Sequence, residues 1–192
     1  MRLGDGVEWT LHCCTVLGAV PSPLAVPASV LAEFHGVPSA YLAKQMQALA
    51  RAGIVEAVPG RNGGYKLARP STDITILDVV LAVEGTERAF RCTEIRQQGP
   101  SAISPSSYAK PCGIAAAMWR AEERYREALA ATTIGDLVAE LDSGVDPEQT
   151  EKALIWLSER LGGRAHEVDA PGGGTPAGGG QGSVPHRGKG ST

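Results

Sequence analysis

Four cysteines, four histidines and the acids beside them give this chain its widest chemical reach, and their spacing sorts them. Cys92 and Cys112 stand at the edges of a polar, Ser/Pro-rich stretch, QQGPSAISPSSYAKP (97–111), a loop flexible enough to bring two thiolates together. Two soft sulfur donors suit zinc, an iron–sulfur cluster or a reversible disulfide. Cys13 and Cys14 sit within a helical pattern, Cys14 on its apolar face and Cys13 pointing elsewhere, and both read as small apolar fillers. Glu8 and His12 are four residues apart on the same helix, so a carboxylate and an imidazole share one face. Alone, such a pair is an ordinary surface interaction. Joined to two thiolates it completes a four-donor set of two cysteines, a histidine and a glutamate, and imidazole in place of sulfur raises a cluster's potential. No nucleophile–base constellation, Walker loop or dinucleotide fingerprint stands beside these residues. Gly63-Gly64 lies in a hairpin rather than between a strand and a helix, so it is not a phosphate cradle; nothing in the residues supports an enzyme, and the chain is expected not to be one.

The elements that must position these residues follow from apolar periodicity and punctuation. A first helix runs from Val7 to about Leu17, with Val7, Leu11, Cys14 and Leu17 on one face. A Pro-rich break follows (Pro21, Pro23, Pro27), then a short helix from about Ala28 to Phe34 closed by Gly36. Ser39 is placed to cap a third helix, Ala40 to Ala52, with Leu42, Met46, Leu49 and Ala50 inward and Lys44, Gln45, Gln47 and Arg51 outward. Gly53 suits the position after its end. Two strand-like runs, Ile54–Val58 and Tyr65–Ala68, flank Pro59-Gly60-Arg61-Asn62-Gly63-Gly64 and make a hairpin. Three helices followed by a hairpin is the order of a winged helix-turn-helix, in which the third helix enters the major groove and the wing touches the backbone or minor groove. Thr75 caps a further helix ending at Gly85. A long helix spans about Gly113 to Ala131, with Ile114, Met118, Ala121, Tyr125 and Leu129 at helical spacing and an exposed Glu122–Arg126 pair. At about 1.5 Å per residue it reaches almost 30 Å, longer than a small winged domain needs, and such a helix suits a homodimer on a palindromic site. Thr133 caps a short helix through Leu141, and Asp146-Pro147 starts a last one ending near Leu161.

The predicted fold is therefore mainly α with a small β-hairpin wing, a winged helix-turn-helix plus a long dimerisation helix. It divides into a DNA-binding unit (1–85), a ligand loop with dimerisation helices (86–141), a C-terminal helix (142–161) and a disordered tail (162–192). The tail holds 11 of the 24 glycines, no aromatic residue and only two valines, too little apolar surface to fold. At 192 residues, 43% hydrophobic and 20% charged, the chain is globular, and no run is long and apolar enough to span a bilayer. The opening MRLGDG lacks the apolar core of a signal peptide, which leaves a cytoplasmic reading with no membrane partner. Net charge is −3, yet the window 40–70 carries Lys44, Arg51, Arg61, Lys66 and Arg69 against Glu56 alone, a +4 segment in an acidic chain. A focused basic face of this kind suits a polyanion.

Longer stretches carry more than any single spacing. GVEWTLHCC (6–14), PSAYLAKQMQALARAGIVEAVPGRNGGYKLARP (38–70), ITILDVVLAVEG (74–85), CTEIRQQGP (92–100), CGIAAAM (112–118) and ATTIGDLV (131–138) resemble the iron–sulfur winged-helix transcriptional regulators, the family that includes NsrR and IscR. The most specific part is YLAKxxxxLxxAG followed by GxxGGYxLxRP. The resemblance implies a dimer that binds double-stranded DNA through the third helix and wing and holds its cluster between subunits, near the long helix. Most members use three loop cysteines; this chain has two. It is more similar to the redox-sensing members, in which two cysteines of one subunit and a glutamate and histidine of the other hold a 2Fe-2S cluster. By that resemblance the ligands are Cys92, Cys112, Glu8 and His12, and Trp9 and His35 correspond to a redox-responsive pair. Ser39, Tyr41, Lys44, Gln45 and Gln47 on the recognition helix, with Arg61, Asn62 and Lys66 on the wing, are the expected DNA-binding residues. Gln45 or Gln47 would read a base edge while the cations position phosphates. The expected protein is a redox-sensing regulator. A metal-free thiol–disulfide switch on the same scaffold and an iron–sulfur electron-transfer protein that binds no DNA are the competing readings.

Overall fold

The computed structural model describes residues 3–21, 23–60 and 63–165. Along these run α1 (Asp5–Ala19), α2 (Ala28–His35), α3 (Ser39–Arg51), β1 (Val55–Val58), β2 (Gly64–Leu67), α4 (Ile76–Glu84), α5 (Gly113–Ala130), α6 (Ile134–Gly144) and α7 (Pro147–Ala165). The order is the expected one: mainly helical, with a hairpin after the third helix. The wing tip, Arg61 and Asn62, and the Gly-rich stretch from residue 166 lie outside the described residues. α7 extends four residues beyond the expected end at Leu161. Once a helix is nucleated each further residue adds a hydrogen bond, and Arg164 and Ala165 are good formers.

Local chemistry sets the boundaries. α2 ends at Gly36 (φ 65°) and α3 is followed by Gly53 (φ 68°), left-handed positions where a Cβ is costly. α4 and α6 start in full capping boxes: the Asp78 and Asp136 amides donate to the Thr75 and Thr133 hydroxyls, and each aspartate accepts from its threonine's N–H. The threonine bonds hold Asp136 below the usual carboxylate range. Ser39 differs from its expected place. It is the first residue of α3, and Pro38 occupies the cap position, its fixed φ of −62° leading the chain into the helix.

β1 and β2 pair antiparallel with Val55 opposite Leu67 and Val58 opposite Gly64. Val26, in the Pro-rich break, exchanges two 2.8 Å backbone hydrogen bonds with Tyr65, so the break is tied along the wing. This pairing explains Gly64, and the hairpin's own backbone explains Gly63. A Cβ on Gly64 would lie 2.4 Å from the Val26 carbonyl carbon, and one on Gly63 would lie 2.2 Å from the Val58 oxygen.

The core joins Cys13, Cys14 and Leu17 of α1 to Val26, Leu31 of α2, Leu42, Met46 and Leu49 of α3, Ile54, Ile74, Val79 of α4 and Ile134 of α6. Cys13 and Cys14 are both buried fillers, so Cys13 faces the core rather than elsewhere, because α1 is packed on more than one side. The sequence groups the helix after Thr133 with the dimerisation segment, whereas α6 packs extensively on α1. Its start is knitted to the strand-like lead into α4: the Ile76 N–H donates to Thr132 at 2.9 Å and the Ile134 N–H to Ile74 at 2.8 Å. α7 returns to α2, where Trp156 packs at a tilt against Phe34 (centroids 5.6 Å apart, 51°) and Arg160 pairs with Glu33 at 2.6 Å. α5 leaves this body with an unpartnered apolar face: Ile114 is 71% and Met118 44% exposed.

Candidate functional site

The segment between α4 and α5 carries the sulfur donors and is more ordered than a flexible loop. Two 3-10 turns, Ile95–Gln97 and Pro105–Tyr108, divide it. Cys112 is the N-cap of α5, where its Sγ accepts the Ala115 N–H at 3.3 Å. The segment leading to Cys92 is fixed to the same helix. Trp119 Nε1 donates to the Phe90 carbonyl at 3.3 Å, with Arg88 over the Trp119 ring. Arg126 donates to the Thr86 and Glu87 carbonyls while paired with Glu122 at 2.9 Å. That pair, expected on the exposed face, is partly buried because it holds residues 86–89 onto α5. Both sulfurs are half-buried and free. In α1, burial pushes the Cys13 thiol up to about 12, and burial with Cys13 as neighbour also raises that of Cys14. Such thiols are inert at neutral pH.

Glu8 and His12 are exposed on one face of α1, one turn apart. The rings around them fall into two contacts. Trp9 meets Tyr41 edge-on (5.2 Å, 79°), linking α1 to the first turn of α3. His35 lies against His12 (5.6 Å) and Phe34 (4.9 Å). Among the described residues no ring contact joins Trp9 to His35. A cleft of about 500 Å³ opens beside Trp9 and Tyr41, lined also by Leu3, Asp5 and Glu84.

His35 Nε2 is buried without a hydrogen-bond partner. Burial, and secondarily the charge of His12, lower its pKa from the ordinary 6.5. The unfolded chain therefore binds this proton more tightly than the folded one. The contribution is undiminished above pH 6.5 and is lost as pH falls below it toward the lowered folded value. Urea unfolding at about pH 8 and about pH 5.5 should show an acid-side loss of stability that is smaller in His35→Gln. Equal losses in the two proteins would contradict this.

Along α3, Ser39, Tyr41, Lys44, Gln47 and Arg51 are exposed. Gln45 corrects an expectation: it is buried, on the face it shares with Leu42, Met46 and Leu49, and it cannot reach a base edge from there. The reason is Gly6 of α1, where a Cβ would come 3.1 Å from the Gln45 amide; the glutamine fills the space the glycine leaves. The burial face of Leu42 and Leu49 already included position 45 at helical spacing. Lys66 is on the wing but pairs with Glu56 across the hairpin at 3.5 Å, and Arg69 is held by Asp78 at 3.1 Å. Sequence reasoning missed Arg96, Tyr108 and Trp119, whose only signal was a long polar or aromatic side chain near the cysteines.

Among the described residues no helix is long and apolar enough to cross a membrane. The profile of the Rrf2 family, described as an iron-dependent transcriptional regulator, matches residues 3–140. Protein aau3 of Rhizobium meliloti is 38% identical over 108 residues, 56% of this chain and 66% of that one. A Lactococcus lactis protein named as an HTH-type transcriptional regulator, YffB, is 32% identical over 118 residues, 62% of this chain and 74% of that one. Among solved structures, the global cysteine regulator CymR of Bacillus subtilis superposes with a TM-score of 0.55 at 21% identity, over 72% of this chain and 97% of CymR. IscR of T. potens gives 0.56 at 21% identity, over 78% and 96%. With its helix-turn-helix, its wing and a family match across α1 to α6, the chain belongs to the Rrf2 family of transcriptional regulators.

Proposed function

We propose that this regulator senses redox state through a 2Fe-2S cluster shared between the subunits of a homodimer, with promoter binding set by the cluster's oxidation level. The observation that carries the reading is the division of its donors. One thiol is seated at the N-terminus of α5 and the other, Cys92, follows a segment tied to that helix, while a carboxylate and an imidazole are exposed on α1. Among the described residues no three such donors of one chain converge. A four-donor site shared by two chains fits this division, and the exposed apolar face of α5 is a surface on which they would meet. The donor types fit the group: Cys92 and Cys112 as thiolates on one iron, Glu8 and His12 of the partner subunit on the other. When bound, the cluster supplies a one-electron change of charge beside α1.

The residues of the chain carry that change onward. Glu8 and His12 flank Trp9, and Trp9 meets Tyr41 at the start of α3, so a shift of α1 between two states moves the recognition helix. On α3, Lys44 and Arg51 neutralise phosphates with Ser39 and Tyr41 near the backbone, and Gln47 is the candidate to read a base edge. Lys66 serves the wing, with Arg61 and Asn62 expected at its tip. A metal-free dithiol–disulfide switch is the second reading, favoured by the same two free, half-buried thiols.

Mixed dimers test the sharing directly. His12→Ala alone and Cys112→Ser alone should each give a dimer without cluster. Co-expressed under separate affinity tags, they form a heterodimer with one intact site, which should hold one cluster per dimer. A colourless heterodimer would place all four ligands in one chain or remove the cluster altogether.

A further inference from the structure

The loop between the sulfurs is folded around one side chain. Arg96 grips Glu94 with both Nε and Nη2, the latter at 2.7 Å. The same Nη2 donates to the Lys110 carbonyl at 3.3 Å, two residues before Cys112. Its guanidinium lies over the Tyr108 ring, 5.0 Å from the centroid. Tyr108 closes the arrangement: its hydroxyl donates to the Arg96 carbonyl at 3.2 Å and accepts the Ile103 N–H at 3.0 Å. Glu94 itself takes a left-handed φ of 51°, the one non-glycine residue among the described ones to do so. The hydrogen bond to Glu94, then the charges of Glu94, Cys112 and Tyr108, raise the Arg96 pKa. A cation so held from three sides is pre-organised, and guanidinium spreads its donors in a rigid fork.

We infer that Arg96 is a positioning and counter-charge residue for the Cys112 end of the loop, stacked on Tyr108 and tied to Glu94 and the Lys110 carbonyl so that its guanidinium is held two residues from the Cys112 sulfur donor. The inference deepens the proposed redox role and rests on that reading only for its effect on a potential; the charge itself is present with or without iron. A fixed cation favours whichever state of the sulfur centre is more negative. Reduction by one electron adds negative charge, so Arg96 makes the reduced state easier to reach.

The test uses the full-length protein and two readouts. In the reduced, metal-free dimer, Cys112 is alkylated with iodoacetate, an anion, and with iodoacetamide, its neutral counterpart, and the labelled peptide is quantified by mass spectrometry. The ratio of the two rates reports local positive charge independently of how nucleophilic the sulfur is. Arg96→Gln should lower the ratio by roughly twofold or more, Arg96→Lys should retain more of it, and high salt should compress the difference. In the loaded protein, titrated with dithionite, the midpoint potential should move negative in Arg96→Gln and less so in Arg96→Lys. A ratio unchanged in Arg96→Gln, or lost equally in Arg96→Lys, overturns the inference. Should wild type take up no cluster, the proposed function fails while the alkylation ratio still decides the place of Arg96. Far-ultraviolet circular dichroism confirms that each variant keeps its helices before it is compared.

Discussion

Gly64→Ala is expected to destabilise the protein by about 3 kcal/mol and to loosen the wing. The alanine Cβ would stand 2.4 Å from the Val26 carbonyl carbon and 2.6 Å from the Pro27 nitrogen, backbone atoms with no rotamer to escape into. The strand must lift away, and the first bonds lost are the two 2.8 Å hydrogen bonds between Val26 and Tyr65. Those bonds tie the wing to the segment that starts α2, so the loss reaches the helix-turn-helix itself. For a chain of this size the change corresponds to a fall in melting temperature of roughly 6–12 °C. Thermal unfolding followed by circular dichroism reads it, and a melting temperature within a degree or so of wild type would contradict the packing described here.

Cys112→Ser is expected to abolish the redox response while leaving the fold intact. Serine is among the best N-cap residues, and its hydroxyl can take over the Ala115 N–H that Sγ accepts at 3.3 Å, so α5 keeps its start. The substitution therefore separates the structural role of position 112 from its chemical one. The variant should bind promoter DNA with one affinity under oxidising and reducing conditions and should carry no visible absorption. Fluorescence anisotropy of a labelled operator, with dithionite-treated and air-exposed protein side by side, makes the comparison. A redox-dependent affinity that survives the substitution would take Cys112 out of the sensor.

Local signals were legible in the sequence and long-range ones were not. Thr75 and Thr133 announced their helices because a capping box is written in four consecutive residues. The wing was legible from its glycine spacing, although the reason for Gly64 appears only with Val26 beside it. That pairing joins residues about forty apart, which no local pattern encodes. Gln45 was misplaced because its polarity outweighed its position: a long amide next to Gly6 of another helix can fill a core site that composition assigns to solvent. Cys13 reversed for a related reason, since a helix packed on two sides buries more than one stripe. α6 joined the N-terminal core through Ile134 and its bonds to Ile74, whereas its distance along the chain suggested the dimer segment. Of the candidate site, Glu8 and His12 were legible as a helical pair, and Cys92 and Cys112 as loop-edge thiols. The order within the loop was hidden because it depends on Arg96 finding Tyr108 and the Lys110 carbonyl across more than ten residues. A Ser/Pro-rich composition describes a flexible segment only until one side chain organises it.

The central claim is a cluster whose redox state sets DNA affinity. It is tested most directly by purifying the full-length protein without oxygen, recording its visible spectrum with iron and sulfide assays, and titrating an operator before and after stoichiometric reduction. The account predicts a coloured protein with about one two-iron cluster per subunit, bleached reversibly by the reductant, and a different operator affinity in the two states. A colourless protein without iron, with Cys92 and Cys112 titrating as free thiols and DNA binding altered only by their oxidation, would contradict the cluster and leave the winged helix under a disulfide switch.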